Sequence, residues 1–441
     1  MGEWTDEQFA TSVRQELLED ILPFWRGRTL DSRHGGFIGQ MSNDLRIQED
    51  APKGLILNAR ILWSFSAFYR YTKEEKDRAL AQRAYEYLTD HFLDQQHGGY
   101  FWELDPSGAV LDDKKKIYGQ AFCIYALAEH YRTFNEPRAL RQAIEVLDLM
   151  EAHADDEEHG GYFEVMSRDW CPCEDMRLSD KDMNEKKSMN NHLHVLEGYT
   201  NLLRVWSPSS RGRPAGGFEK EERRRAVLAA SLQDLIDVFR RHIVNREHTH
   251  FQHFFDEVWT PRSDSYTFGH DIEGSWLLCE AAEVLLSRGL SNVRDALVSP
   301  AEKQEKDAHA TRLTTEVRSL ATKMARATMN EGLDRDGGLL YEGRDGQIIN
   351  PSKEWWPQAE AVVGFWNAWQ LTGDPAFRDA AIRCWQFIQD KVVDHQHGEW
   401  FWCIRPDGTP DLAQPKVSAW KGPYHNGRCC LEIIRRIHNN L

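Results

Sequence analysis

The sequence predicts an all-α fold, an (α/α)6 barrel of six helix-pair units with short β-hairpins in the connecting loops. Three observations predict it. A glycine turn recurs along the chain, a strongly apolar helix begins at a similar distance after each copy, and a more charged amphipathic helix fills each interval. The turn reads His34-Gly35-Gly36-Phe37, His97-Gly98-Gly99-Tyr100-Phe101, His159-Gly160-Gly161-Tyr162-Phe163, Asp336-Gly337-Gly338-Leu339 and His397-Gly398-Glu399-Trp400-Phe401, with successive starts 63, 62, 177 and 61 residues apart. The long gap holds a degenerate copy near His248-Thr249-His250-Phe251 and two insertions, a Pro/Gly/Ser/Arg-rich loop from Ser207 to Phe218 and a polar stretch from Ser287 to Ala310.

Each element follows from local chemistry. Paired glycines permit the positive φ of a tight turn, and the aromatics behind them suit a short strand, so each motif reads as a small hairpin. Apolar helices then begin at Lys53-Gly54-Leu55, Lys116-Ile117-Tyr118, Lys187-Ser188-Met189, Phe268-Gly269-His270, Trp355-Trp356-Pro357 and Gly422-Pro423-Tyr424, 19 to 28 residues after each motif. These are the expected inner helices. Helices such as Lys76 to Asp90 and Arg138 to Met150 confine their apolar residues to one stripe and form the expected outer layer. A two-helix unit cannot bury its apolar face alone, so six units closing on themselves share one core, and residues 1–441 are expected to form one catalytic domain. An open solenoid is the alternative arrangement.

Composition narrows the function. The 441 residues are 41% hydrophobic and 28% charged, which supplies a large core and argues against disorder. A net charge of −16 argues against nucleic acid or an anionic membrane as partner. Met1-Gly2-Glu3-Trp4 begins no secretory signal and no run is apolar enough to span a bilayer, so a soluble cytoplasmic enzyme is expected, as monomer or homodimer. The eight cysteines show no CxxC pair and read as reduced, mostly buried thiols.

The inner-helix starts carry polar residues that an ordinary core helix would not gather: Asn58 and Arg60; Tyr118 and Gln120; Asn190, His192 and His194; His270 and Glu273; Trp356 and Glu360; and His425 and Asn426 after Trp420. If the inner helices run in one sense, these starts converge on one polar, aromatic pocket. His270 and His425 lie just inside their helices, where the positive helix end favours a neutral base, and Glu273 sits one turn from His270, placed to orient it. Two imidazoles on opposite sides of a substrate suit removal of a proton beside a carbonyl and its return on the other face, with Arg60 steadying the enediolate. That chemistry calls for no cofactor and no metal, and His192 and His194 lie on different faces of their helix. Glu273 and Glu360 as paired carboxylates keep a glycoside hydrolase open, and a sugar-binding protein is the third reading.

These segments, with Met189-Asn190-Asn191-His192-Leu193-His194, Gly269-His270-Asp271-Ile272-Glu273 and Trp420-Lys421-Gly422-Pro423-Tyr424-His425 as the longest matches, resemble the N-acylglucosamine 2-epimerase superfamily over nearly the whole chain. The Asn-x-His-x-His helix resembles its disaccharide branch. The resemblance implies reversible C2 epimerisation of the reducing-end glucose of β-1,4-linked disaccharides such as cellobiose and lactose, without a catalytic metal or nucleotide. It implies His270 and His425 as paired acid/base groups and Arg60 at the enediolate oxygen. His194, Glu273 and Asn190 would hold the open sugar, Tyr118 would line the pocket, Trp356 and Trp420 would wall it, and Asp182 would contact sugar. Relatives acting on free mannose share much of this motif set, and Pro357 departs from the expected pattern.

Overall fold

A computed structural model describes residues 4–207, 217–289 and 300–438. Its described residues contain six inner helices, Leu55–Thr72, Ile117–Phe134, Met189–Val205, Phe268–Val284, Trp355–Thr372 and Tyr424–His438, alternating with six outer ones. Each inner helix packs on the next, and the sixth packs on the first, so the ring is closed and the solenoid is excluded. The outer helices span 6–28, 75–92, Pro137–His153, 217–243, Pro300–Glu331 and 375–392. The inner helices are buried nearly all round over their first ten residues, as the core of such a ring requires.

The glycine turns behave as expected at their tips and differently behind them. Each closes one antiparallel bridge, from Leu30 to Phe37, Leu93 to Tyr100, Asp155 to Tyr162, Val244 to Phe251, Leu333 to Leu339 and Val393 to Trp400. The degenerate fourth copy is among them, with Thr249 at φ 62°. The strand after the turn folds back on its own unit as a hairpin behind the second and fifth turns, Glu103–Leu104 with Val110–Asp112 and Glu342–Arg344 with Gln347–Asn350, and it also reaches the neighbouring unit. It pairs with the strand that leads into the preceding inner helix: Lys53–Gly54 with Glu103–Leu104, Lys115–Lys116 with Val165–Met166, Lys187–Ser188 with Phe254–Phe255, Ser265–Thr267 with Glu342–Arg344, and Lys353–Glu354 with Cys403–Ile404. A bridge between Met41 and Val417 completes the circle.

An aspartate and a lysine lock these turns. Lys53, Lys115, Lys187, Lys353 and Lys416 reach Asp31, Asp94, Asp156, Asp334 and Asp394 at 2.6–3.0 Å. Asp31, Asp94, Asp156 and Asp394 also accept the backbone N–H groups two and three residues on, which satisfies the turn's own donors. In the sixth turn the second glycine is replaced by Glu399 at φ 64°, whose carboxylate accepts from Trp25, Lys421 and Asn426 and so joins the first outer helix to the last inner one.

Of the two expected insertions, residues 208–216 and 290–299 lie outside the described residues. From Pro300 the second, polar stretch is helical, with the proline at its first position. Pro357 likewise falls in a helical first turn, where the N–H it lacks has no intrahelical partner. The eight cysteines form no disulfide and six are buried. No helix among the described residues is long and apolar enough to cross a membrane.

Candidate active site

Counting along each inner helix separates two kinds of polar residue. At the fourth position stand Asn58, Gln120, His192, Asp271, Gln358 and, counting from Pro423, Asn426. These face the turns. Gln120 exchanges hydrogen bonds with both backbone groups of Tyr100, Gln358 does the same with Leu339, His192 accepts from Tyr162 N–H at 2.8 Å, Asp271 accepts from Phe251 N–H at 2.7 Å and Asn426 donates to Glu399. Asn58 turns back to Gly54. The expectation that Asn58, Gln120, His192 and Asn426 belong to the pocket is therefore corrected: Gln120 and His192 satisfy turn backbone, Asn58 returns to the carbonyl at its own helix start, and Asn426 holds the turn carboxylate of Glu399.

At the sixth position stand Arg60, Phe122, His194, Glu273, Glu360 and Arg428, two residues further round and so on the barrel axis. Arg428 is the centre. Its guanidinium reaches Glu197, Glu273 at 2.6 Å, Glu360 at 2.7 Å and the Tyr424 hydroxyl. Glu197 in turn accepts from Tyr424 and lies 2.9 Å from Nδ1 of His194. Glu360 lies 2.7 Å from Nδ1 of His425 and accepts from Trp276 at 3.1 Å. Burial alone would raise Glu197, but Arg428, His194 and Tyr424 outweigh it and hold its carboxyl down at about 2. Burial and the neighbouring Glu360 push Glu273 up to about 8, and burial raises Glu360 as well.

The two singled-out histidines are both depressed well below the ordinary imidazole range. For His270 the cause is burial, then the other histidines; for His425 it is burial, then Arg60 and Arg428. Each has Nδ1 engaged, His425 by Glu360 and His270 by the Thr267 hydroxyl at 2.5 Å. Neither Nε2 has a hydrogen-bond partner among the described residues. Trp356 borders both rings, 4.7 Å from His270 and 5.7 Å from His425 by centroid. Glu273 does not orient His270, contrary to expectation, because its carboxylate is turned to Arg428. Glu360 is no sugar contact either; it is 1% exposed and occupied by Arg428, His425 and Trp276.

Arg60 donates to the Trp420 carbonyl at 2.7 Å and to the Tyr118 hydroxyl at 3.1 Å, lying over the Phe122 ring. Tyr118 packs edge-on to His194 and Trp420. Asn190, half-buried, has its Oδ1 without a partner among the described residues. Asp182 spends its carboxylate on Ser179 of its own loop. Glu273, Glu360 and His425 bring three ligand atoms within 4.8 Å, but the cation between the two carboxylates is Arg428, held by one nitrogen.

Residues unremarked in the sequence complete the rim. The carbonyls of Trp102, Glu164, His253, Tyr341 and Trp402 accept the first N–H of the first five inner helices, so one position after each turn stands over a helix start. Trp102 reaches Trp420 at 5.9 Å and Trp402 reaches Trp355 at 4.5 Å. Arg428 and this ring were accessible to the same repeat register that placed Arg60 and Glu360, whereas Glu197 lies three residues beyond its sixth position.

Two imidazoles with a bound nitrogen and an open one, beside an arginine, on an (α/α)6 barrel fit a proton-transferring isomerase. The N-acylglucosamine 2-epimerase (GlcNAc 2-epimerase) family matches residues 36–189 and 222–429. A cellobiose 2-epimerase of Bacteroides fragilis is 40% identical over 97% of this chain and 99% of its own. The structure of a cellobiose 2-epimerase from Bacillus thermoamylovorans superposes with a TM-score of 0.83 at 34% identity, covering 98% of this chain and all of that one. A D-mannose isomerase structure, at 20% identity and a TM-score of 0.75, shares the fold. The chain belongs to the N-acylglucosamine 2-epimerase family.

Proposed function

We propose that this chain, as one catalytic domain over 1–441, interconverts glucose and mannose at the reducing end of β-1,4-linked disaccharides, cellobiose and lactose among them, by epimerisation at C2. The observation that carries the reading is the pair of histidines, His270 half-buried and His425 buried, each with Nδ1 engaged and each bordering Trp356. The names of the relatives supply the substrate class.

The step runs through the open-chain sugar. Nε2 of one histidine takes the proton from C2, the C–H electrons form a C1=C2 bond, and the carbonyl π electrons move to O1 as an enediolate oxygen. Arg60, fixed by Trp420 and Tyr118, supplies the charge facing that oxygen. The other histidine gives a proton to C2 from the opposite face and the carbonyl re-forms. For His425 the replacement proton is at hand, because the raised Glu273 and Glu360 keep a proton on the carboxyl pair beside its Nδ1. In the opposite direction the roles exchange. His194 and Asn190 are read as sugar-holding groups, with Trp356, Trp420 and the aromatic rim as walls. Asp182 is read as a further sugar contact.

Hydrolysis is disfavoured because Glu273 and Glu360 share one Arg428 nitrogen and do not flank a bond. The test is incubation of the EDTA-treated protein in D2O with cellobiose, lactose, glucose and mannose separately. A C2 epimer carrying deuterium from a disaccharide supports the reading. Turnover of the monosaccharides alone overturns the substrate class, and glucose released from cellobiose without an epimer overturns the reaction.

A further inference from the structure

We propose that Thr267, backed by His253, is the positioning residue that sets the tautomer of His270 and leaves its Nε2 bare as the base. The inference rests on the epimerase reading for its kinetic consequence and on geometry for the tautomer.

Thr267 stands at the N-cap of the fourth inner helix with extended backbone, φ −114° and ψ 127°, yet its side chain caps nothing. A threonine there ordinarily accepts from a first-turn N–H. Ser188, at the same place before the third inner helix, does so with Asn191 at 3.1 Å. The Thr267 hydroxyl is instead turned to Nδ1 of His270 at 2.5 Å, and lies 3.4 Å from Nε2 of His253. His253 occupies the rim position that other units fill with Trp102, Glu164, Tyr341 and Trp402, and its ring is 5.8 Å from that of His270.

Hydrogen-bond accounting gives the direction of the chain. The Thr267 backbone N–H is a donor and points at Nε2 of His253 at 3.2 Å, so that nitrogen carries no proton. Its single lone pair is shared, in a three-centre arrangement, between that N–H and the Thr267 hydroxyl 3.4 Å away. A hydroxyl donating to His253 presents only lone pairs to His270, which must supply the hydrogen from Nδ1. Nδ1–H leaves Nε2 bare. Burial, which lowers His253 to about 4, keeps this nitrogen an acceptor at neutral pH. Without His253 the hydroxyl is free to donate to Nδ1, and His270 would then face the sugar with Nε2–H, an acid where a base is needed.

The test uses Thr267→Val, Thr267→Ser, His253→Phe and His253→Gln in the full chain. Thr267→Val and His253→Phe are expected to lower kcat for cellobiose about 10- to 100-fold with KM within about twofold. Thr267→Ser, and His253→Gln, whose Oε1 accepts in place of Nε2, are expected to return kcat to within about threefold of the parent. Wild-type kcat in His253→Phe, or no recovery in Thr267→Ser, overturns the proposal. NMR of 15N-histidine-labelled protein reads the tautomer without turnover, the His270 signal being assigned by its loss in His270→Asn. Nε2 unprotonated in the parent and protonated in His253→Phe is expected; the same tautomer in both overturns it. An inactive parent would remove the epimerase reading and leave this second readout standing. Should Thr267→Val not fold, Thr267→Ser and the His253 variants decide.

Discussion

Glu360 and His425 face each other between the neighbouring fifth and sixth inner helices, Oε1 to Nδ1 at 2.7 Å, although 65 residues separate them in the chain. A carboxylate behind an imidazole chooses which ring nitrogen faces outward and stabilises the ring when it gains a proton. Glu360→Gln keeps the shape and removes the charge and the shared proton. kcat for epimerisation is expected to fall about 10²-fold with little change in KM. Steady-state kinetics on cellobiose check it, and a rise in KM alone would make Glu360 a binding residue.

His270→Asn and His425→Asn are each expected to abolish net epimerisation, since one face of C2 loses its proton carrier in either variant. Circular dichroism should show the fold intact. Incorporation of solvent deuterium at C2 of the starting sugar distinguishes the two, because a variant that retains its base still exchanges the proton on that face. Continued epimerisation in both would remove the two-base mechanism.

Arg428 holds Glu197, Glu273 and Glu360 at once. Arg428→Met leaves three buried carboxylates facing each other without a cation, a loss of about 3–5 kcal/mol of stability at pH 8. Removing the cation raises the carboxyl pKa values further, so protonation relieves the defect as pH falls. Urea melts at pH 8 and 5.5 are expected to show the gap from the parent narrowing on the acid side. A gap independent of pH would mean that lost packing over Trp276 and Tyr424 dominates.

Glu164 titrates far from its usual range: burial pushes its carboxyl up to about 8, against the pull of Ser188. The unfolded chain releases this proton near 4.5 and the folded chain keeps it to about 8, so the folded state is favoured below that window and loses the advantage as pH rises through it. Glu164→Gln is expected to flatten the fall of stability between pH 5 and 8 by about one proton per molecule. Melts at a series of pH values check this, and an unchanged slope would mean that Glu164 is already ionised in the folded protein.

The sixfold repeat could be read without coordinates because a turn needs glycine, aspartate or asparagine locally and a buried helix needs an apolar run, both of which are written within a few residues of the structure they cause. The fourth copy was legible even with Thr249 and His250 in place of glycines, since Asn245 and Phe251 keep the turn's ends. The polar helix starts were legible as a group, but sorting them was not. Asn58 and Arg60, or His192 and His194, are two residues apart, and that step of roughly 200° around the helix separates a turn clamp from an axial group.

Fold class, repeat number and the reactive residue types were therefore present in the chain order, since each is a property of a short segment. Partnership was not. Arg428 meets Glu197, Glu273 and Glu360 from 231, 155 and 68 residues away, and His270 takes its partner from Thr267 when Glu273 is as near in sequence. Those choices depend on which helix starts the closed ring brings to one axis, and on burial there, which makes every unpaired charge costly enough to dictate its neighbour.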